Sequence, residues 1–397
     1  MNRLKHIAVL IGSLFFLGSA LAQNDTCRLR VTLLTCAPGE ELYSTFGHTA
    51  IGVQDGNSGS DMVFNYGSFE FSPDFYARFI RGKLLYYLSV EAYPEFIYQY
   101  QYESRSVVEQ EVQLTCAEQE NLLQALLNNA RVENRYYRYD FLFDNCTTRA
   151  GDMIARYSAD SVQFRNILPE KTPSFRDLIH TYLDRGKQPW SKLGIDILLG
   201  AKLDRKVTNR EAMFLPDYLL KGFDSATISG RKLVTPPQAV LSMPSPLADG
   251  FVFPPLLCFA LVFLLALVLS FSRRKGLQKA LGFFDFVLFF LLGLSGLLLL
   301  FMWFGTDHIV CRNNLNLAWA LPTHLAAAVF AGRKAAAVRA YFRFTAWLSA
   351  ALLLAWFFLP QELNPALIPL VLTILLRSWQ LSKSTHHGTK NAGNQRN

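Results

Sequence analysis

Acidic residues are missing where basic ones gather. Residues 272–280, 332–343 and 377–397 hold no Asp or Glu, yet they carry Arg273, Arg274, Lys275 and Lys279, then Arg333, Lys334, Arg339 and Arg343, then Arg377, Lys383, Lys390 and Arg396. The formal net charge of +8 is accounted for by these clusters, so no nucleic-acid partner is inferred from it. Histidine and cysteine are also scarce, at seven and six in 397 residues. The His386-His387 pair has no other ligand type at a useful spacing, so neither a metal nor a cofactor is expected. Residues 7–21 are apolar but too short and too closely flanked by small residues for a convincing membrane span. Preceded by Arg3 and Lys5 and followed by Ala20-Leu21-Ala22, they read as a signal peptide over residues 1–22, with an uncleaved anchor as the alternative.

Long apolar runs are abundant further on. The chain is 51% hydrophobic and 14% aromatic, and these residues concentrate after position 250. Residues 251–271, 281–304, 315–331, 344–359 and 366–376 are expected to form a helical bundle of about five spans, within a membrane domain over 251–380. The basic clusters follow the first, third and fifth runs, while the alternate loops are short and contain Asp307 and Glu362. This bias predicts one orientation, with residues 23–250 outside and the tail 381–397 in the cytoplasm.

Residues 23–250 have the mixed composition of a domain that builds its own core. Alternation predicts strands over 28–34, 49–53, 62–66 and 107–114. Helices are expected over 75–83 and 118–130, and the tyrosine-rich 93–102 is ambiguous. Tyr139-Asp140-Phe141-Leu142-Phe143-Asp144-Asn145-Cys146-Thr147-Thr148-Arg149 ends an aromatic run and begins a helix. Asp144 or Asn145 is a suitable N-cap, which puts Cys146 in the first turn. There the helix dipole and free amides stabilise a thiolate and offer donors to an oxyanion.

A cysteine nucleophile needs a base. His6 belongs to the signal, His308 and His324 to the anchor, and His386 and His387 to the tail, which leaves His48 and His180. His180 sits on an amphipathic helix where a partly exposed structural histidine is expected. His48, preceded by Gly47 at the mouth of a strand, is the candidate base. Cys36 and Cys116 flank strand-like segments, so Cys116 is expected to bridge Cys36 or Cys27 and leave Cys146 free.

These residues resemble a known family. Leu34-Thr35-Cys36-Ala37-Pro38-Gly39-Glu40, Phe46-Gly47-His48-Thr49-Ala50-Ile51, Asn65-Tyr66-Gly67-Ser68-Phe69 and Asp144-Asn145-Cys146-Thr147 are similar to the periplasmic domain of Lnb-type lipoprotein N-acyltransferases. The likeness extends through Gly194-Ile195-Asp196-Ile197-Leu198-Leu199-Gly200, Met213-Phe214-Leu215-Pro216, Thr306-Asp307-His308 and Asn314-Leu315-Asn316-Leu317. The histidine-before-cysteine order is similar to the circularly permuted papain-like (NlpC/P60-type) branch, which implies an α+β soluble domain ahead of the helical membrane bundle. The resemblance implies a multi-pass protein of the bacterial inner membrane with a periplasmic catalytic domain. It also implies transfer of an acyl chain from a membrane phospholipid, through a thioester on Cys146, to the α-amino group of a diacylated lipoprotein. His48 is then general base and acid.

Supporting roles are expected from four residues. Asn65 or Tyr66 orients His48, only one can face it because strand side chains alternate, and Asn65 is the choice. Asn145 either caps the helix or donates to the oxyanion, and Arg105 is a candidate phosphate contact beside Arg149. Phe69, Phe71, Phe75, Tyr76 and Phe79 are candidates for a lipid-facing lip, and Asp285 is expected near the cytoplasmic interface. The competing readings are a membrane-anchored cysteine peptidase of cell-wall peptides, and an envelope assembly protein with a structural cysteine.

Overall fold

Alternating, β-branched and aromatic residues in the first third of the chain build one antiparallel sheet. In the computed structural model, which describes residues 28–383 apart from 71, 159–160, 245–251, 332 and 334, the strands are β1 (Leu29–Cys36), β2 (His48–Asp55), β3 (Ser60–Ser68), β4 (Leu85–Ala92), β5 (Val107–Glu111) and β6 (Tyr136–Arg138). Two short strands, β7 (Thr227–Ile228) and β8 (Arg231–Lys232), form a separate ribbon, and β9 (Gln238–Leu241) closes the main sheet. The order is β6-β4-β3-β2-β1-β5-β9. The expected signal segment and most of the expected tail lie outside the described residues.

Helices cover both faces of this sheet. Before β4 comes the short α1 (Phe75–Ile80); α2 (Tyr93–Tyr102) and α3 (Cys116–Ala130) flank β5, and α4 (Cys146–Tyr157) follows β6. Val31, Leu33, Ile51, Val53, Phe64, Tyr66 and Leu88 point to one face, where they meet Leu122 and Leu126 of α3 and Ala150 and Ile154 of α4. Leu34, Ala50 and Val63 point the other way, onto Phe96 and Tyr100 of α2. The ambiguous tyrosine-rich segment is therefore a helix: Pro94 sits in its first turn, and Phe96 and Tyr100, four apart, share a buried face.

Beyond α4, the chain forms α5 (Phe175–Arg185), α6 (Pro189–Leu198), α7 (Asn209–Ala212) and α8 (Pro216–Ser225). The apolar C-terminal part contains α9 (Pro255–Phe271), α10 (Lys275–Phe304), α11 (His324–Phe330), α12 (Ala336–Ala355) and α13 (Ile368–Lys383). Among the described residues, three helical stretches are long and apolar enough to cross a membrane: Lys275–Phe304, Ala336–Phe358 and Pro365–Lys383. Pro255–Phe271 is a shorter apolar helix. Fewer stretches than the expected five meet that length and composition, and the departure is greatest at the third run. There a 3-10 turn (Leu315–Ala318) and the seven-residue α11 replace a continuous helix, since Pro322 cannot donate an amide to a helical ladder. This broken segment still lies along α10, because Gly296 and Gly293 leave room for its backbone: a Cβ would meet the Ala320 carbonyl at 2.1 Å and the Leu325 amide at 2.5 Å. The Asp285 carboxylate, expected near the cytoplasmic interface, is turned into the bundle. It is buried and paired with Arg377 at 2.6 and 2.8 Å, joining α10 to α13.

The two halves are fastened together at two places. The last carbonyls of α6 have no partner within their own helix. Asn314 donates to the carbonyls of Ile197 (2.7 Å) and Leu198 (3.1 Å), and Asn316 donates to those of Asp196 (2.8 Å) and Ile197 (3.2 Å). The Asp196 carboxylate accepts from Arg176 (2.7 Å), His180 (2.8 Å) and Asn364 (2.8 Å), so it ties α5 and α6 to the loop before α13. At the second place, the Arg81 carbonyl accepts from the Asp307 amide at 3.0 Å, and the Phe79 carbonyl lies 3.0 Å from His308 Nε2. The motifs around Asp196, Asp307 and Asn314 thus find their use in this junction, and His180 belongs to it rather than to an isolated surface.

Cys116 is disulfide-bonded, whereas Cys36 is a free, fully buried thiol. That removes Cys36 from the two expected partners; Cys27 lies outside the described residues. Burial pushes the Cys36 thiol up to about 12, which makes it a poor nucleophile.

Candidate active site

Helix α4 begins against the sheet because its start is doubly capped. Asn145 accepts from the amides of Thr147 and Thr148, both at 2.9 Å, while the Thr148 hydroxyl accepts from the Asn145 amide at 2.8 Å. Both Asn145 side-chain N–H groups are also committed, to the carbonyls of Phe141 (2.8 Å) and Phe214 (2.9 Å). Asn145 is therefore a cap and has no donor left for an oxyanion. Its amide partners are equally occupied, so the first-turn amide outside the cap is that of Cys146 itself.

His48 is the first residue of β2, and Cys146 is the first of α4. The buried hydroxyls of Thr49 and Thr147, 3.2 Å apart, pin the strand to the helix one residue beyond each. The thiol and the imidazole stand close enough for each to shift the ionisation of the other. His48 Nε2 lies 2.6 Å from Asn65 Oδ1, which leaves Nδ1 for the sulfur. The amide orientation of Asn65 is set in turn by Glu91, whose Oε1 accepts from Asn65 Nδ2 at 3.0 Å. A carboxylate only accepts, so Asn65 presents its oxygen to His48 and holds the proton on Nε2.

Gly67 borders this pair. Its φ of +95° favours glycine, and a Cβ there would stand 3.5 Å from Cys146 Cβ and 3.8 Å from His48 Cε1. The absence of a side chain keeps the approach to the sulfur open, and both Cys146 and His48 are partly exposed.

The electrostatics favour a thiolate–imidazolium pair. Burial by itself raises the Cys146 thiol. The His48 charge and hydrogen bond, the Thr49 amide and the Thr147 hydroxyl outweigh it, bringing the thiol from 9.0 down to about 7. For His48, burial acts to lower the pKa, but the Cys146 charge and hydrogen bond, with help from Asn65, leave it raised.

The other expected residues fall elsewhere. Tyr66 is on the opposite face of β3 from Asn65, buried, with its hydroxyl accepting from Asn129 at 2.6 Å. Alternation allowed one of the two to face His48, and it is Asn65. Arg105 is buried instead of waiting for a phosphate: it donates to the Ala37 carbonyl (2.8 Å) and to Glu103 (2.7 Å) and braces the loop leading to His48. Arg149 is held by Asp144 at 2.6 and 2.9 Å and lies over the Tyr137 ring at 3.6 Å. Phe71 lies outside the described residues. Glu91, Thr49 and Thr147 escaped the sequence reading. Glu91 sits on a neighbouring strand, diagonal to Asn65, and only the register of β3 against β4 brings it close.

Fold and site together define a class: an α+β domain bearing a Cys–His–Asn cluster, locked onto a bundle of apolar helices. The family model described as the Lnb N-terminal periplasmic domain matches residues 18–181, and the one described as the Lnb transmembrane domain matches residues 248–387. No curated protein and no solved structure matches the chain. The chain belongs to the Lnb family of lipoprotein N-acyltransferases, as a membrane protein with a periplasmic N-terminal domain.

Proposed function

We propose that this chain N-acylates lipoproteins by a two-step exchange through Cys146. The carrying observation is the Cys146–His48–Asn65 cluster at a capped helix start, on a domain bound at two places to the membrane half. In the first step, the Cys146 thiolate attacks an ester carbonyl of a bilayer phospholipid, and the Cys146 amide is the donor available to the developing oxyanion. Collapse breaks the acyl–oxygen bond, and protonated His48 gives its Nδ1 proton to the departing lysophospholipid. In the second step, the α-amino group of a diacylglyceryl-cysteine attacks the thioester, His48 takes its proton, and the thiolate leaves as the amide forms. A weakly basic thiolate serves as both nucleophile and leaving group, and the thioester supplies the driving force.

The sheet with His48 ahead of the cysteine helix is consistent with a permuted papain-like arrangement. The basic clusters after the apolar runs support placement in the inner membrane with a cytoplasmic C-terminus. Incubating the full chain with a phospholipid and trapping at neutral pH tests the first step: the expected product is a hydroxylamine-sensitive acyl adduct on Cys146, and an adduct elsewhere or none counts against it. A peptidase acting on soluble wall peptide has no use for the two fastenings to the bundle, and an assembly protein has none for a lowered thiol.

A further inference from the structure

The structure places a row of aromatic rings between the nucleophile and the membrane half. Paired hydrogen bonds between the Asp140 and Asp144 backbones (3.1 and 2.9 Å) close a turn flanked by Tyr139 and Asn145, so Tyr139 stands beside the start of α4 and packs on the same core as Cys146; it stacks on Tyr86, with centroids 4.2 Å apart. Tyr86 meets Phe69 at 5.4 Å, Phe69 meets Phe75 at 5.5 Å, and Phe75 stacks on Phe79 at 6.2 Å. Phe75 and Phe79 are one turn apart on α1, so the row ends on that helix.

Helix α1 is the element tied to the loop after α10. The carbonyls of Phe79 and Arg81 both bond to that loop, at His308 and Asp307, four and three residues past the end of the longest apolar helix. Its outward face carries Tyr76, Phe79 and Ile80, which are 71%, 51% and 46% exposed. Three exposed apolar side chains on a six-residue helix, held at the end of a span, have the composition of an element lying in a bilayer interface.

Building on the acyl-transfer reading, we propose that α1 dips into the outer leaflet and that the row Phe79–Phe75–Phe69–Tyr86–Tyr139 binds the acyl chain of the donor phospholipid. The continuity of the row with Cys146 selects this occupant, because the chain being transferred must extend away from the sulfur while its tail remains in an apolar environment. The row therefore selects for long acyl chains, and α1 is the point of entry.

The test uses the full chain with Cys146→Ala, in nanodiscs of phosphatidylethanolamine and phosphatidylglycerol containing a phosphatidylethanolamine with a diazirine in its acyl chain. After illumination, label is expected on the peptides bearing Phe69, Phe79, Tyr86 and Tyr139, as well as on the lipid-facing bundle. Adding Phe79→Ser and Ile80→Ser, both at exposed positions, should remove most label from the Tyr86 and Tyr139 peptides and leave that on α13 unchanged. Label confined to the bundle, or label at Tyr86 and Tyr139 that the double substitution leaves intact, overturns the proposal. With Cys146 restored, the same double substitution should raise the KM for long-chain phospholipid about tenfold more than that for p-nitrophenyl acetate; equal losses on both substrates also overturn it. Because the labelling is read without Cys146, a missing thioester in the native chain refutes acyl transfer and not the binding row.

Discussion

Replacing His48 by Ala should move the pH profile of Cys146 alkylation from near 7 to above 9. The thiol is lowered from 9.0 to about 7 although burial pushes it upward, and the largest counterweights are the charge and the hydrogen bond of His48. At about 1.4 kcal/mol per pH unit, the net stabilisation of the thiolate is about 3 kcal/mol. At pH 7 about half of the native thiol is then ionised, against about one part in a hundred for an ordinary thiol. His48→Ala removes the imidazolium and leaves the burial, so alkylation by iodoacetamide at pH 7 should slow at least ~50-fold. The thiolate is the reactive form, so the native rate climbs through pH 7 and levels off. Because His48 is raised by the same partner, the two midpoints belong to the pair, and acyl transfer, which needs the His48 proton, should decline again on the alkaline side. The assay is pseudo-first-order alkylation of the detergent-solubilised full chain, followed by intact mass. A native midpoint near 9, or one that His48→Ala leaves in place, would refute the coupling.

Three further outcomes follow from neighbouring contacts. Glu91→Ala frees the Asn65 amide to turn its NH2 toward His48 Nε2, so kcat should fall about tenfold, the usual scale for disturbing a group that orients a functional histidine. KM for lipid should be unchanged, and Glu91→Gln, which keeps an acceptor, should recover most of the rate. Asn145→Ala strips the amides of Thr147 and Thr148 and the carbonyls of Phe141 and Phe214 of their partner; thermal unfolding should show a loss of about 2–3 kcal/mol. Asp196→Ala leaves Arg176, whose side chain is fully buried, without one of its two carboxylates. The expected cost is about 3–5 kcal/mol, together with faster proteolysis between the two halves, and an unchanged melting curve would contradict the junction described above.

What was legible in the sequence followed from local pattern. Strand alternation located β1, β2 and β3 to within a few residues, and the Asp144-Asn145 cap placed Cys146 in its first turn because both signals act over a handful of neighbours. Asn65 was preferred to Tyr66 without a deciding signal, since alternation says that adjacent residues face opposite ways but not which faces His48. Segment 93–102 stayed ambiguous because its tyrosines favour strands, while Pro94 and the burial of Phe96 and Tyr100 decide for a helix. Glu91 was invisible because it depends on strand register, and the Asp285–Arg377 pair because its members lie 92 residues apart. The third apolar run was read by hydropathy alone, which registers Leu315 and Leu317 but not that Asn314 and Asn316 turn away to cap α6.

The central claim is tested most directly on the lipoprotein product. Cells lacking their own lipoprotein N-acyltransferase are supplied with this chain, and a lipoprotein N-terminal peptide is weighed by mass spectrometry. The account predicts triacylated peptide with the native chain and diacylated peptide with Cys146→Ala, expressed and inserted to the same level. Diacylated peptide alone with the native chain, or triacylated peptide with Cys146→Ala, would contradict it.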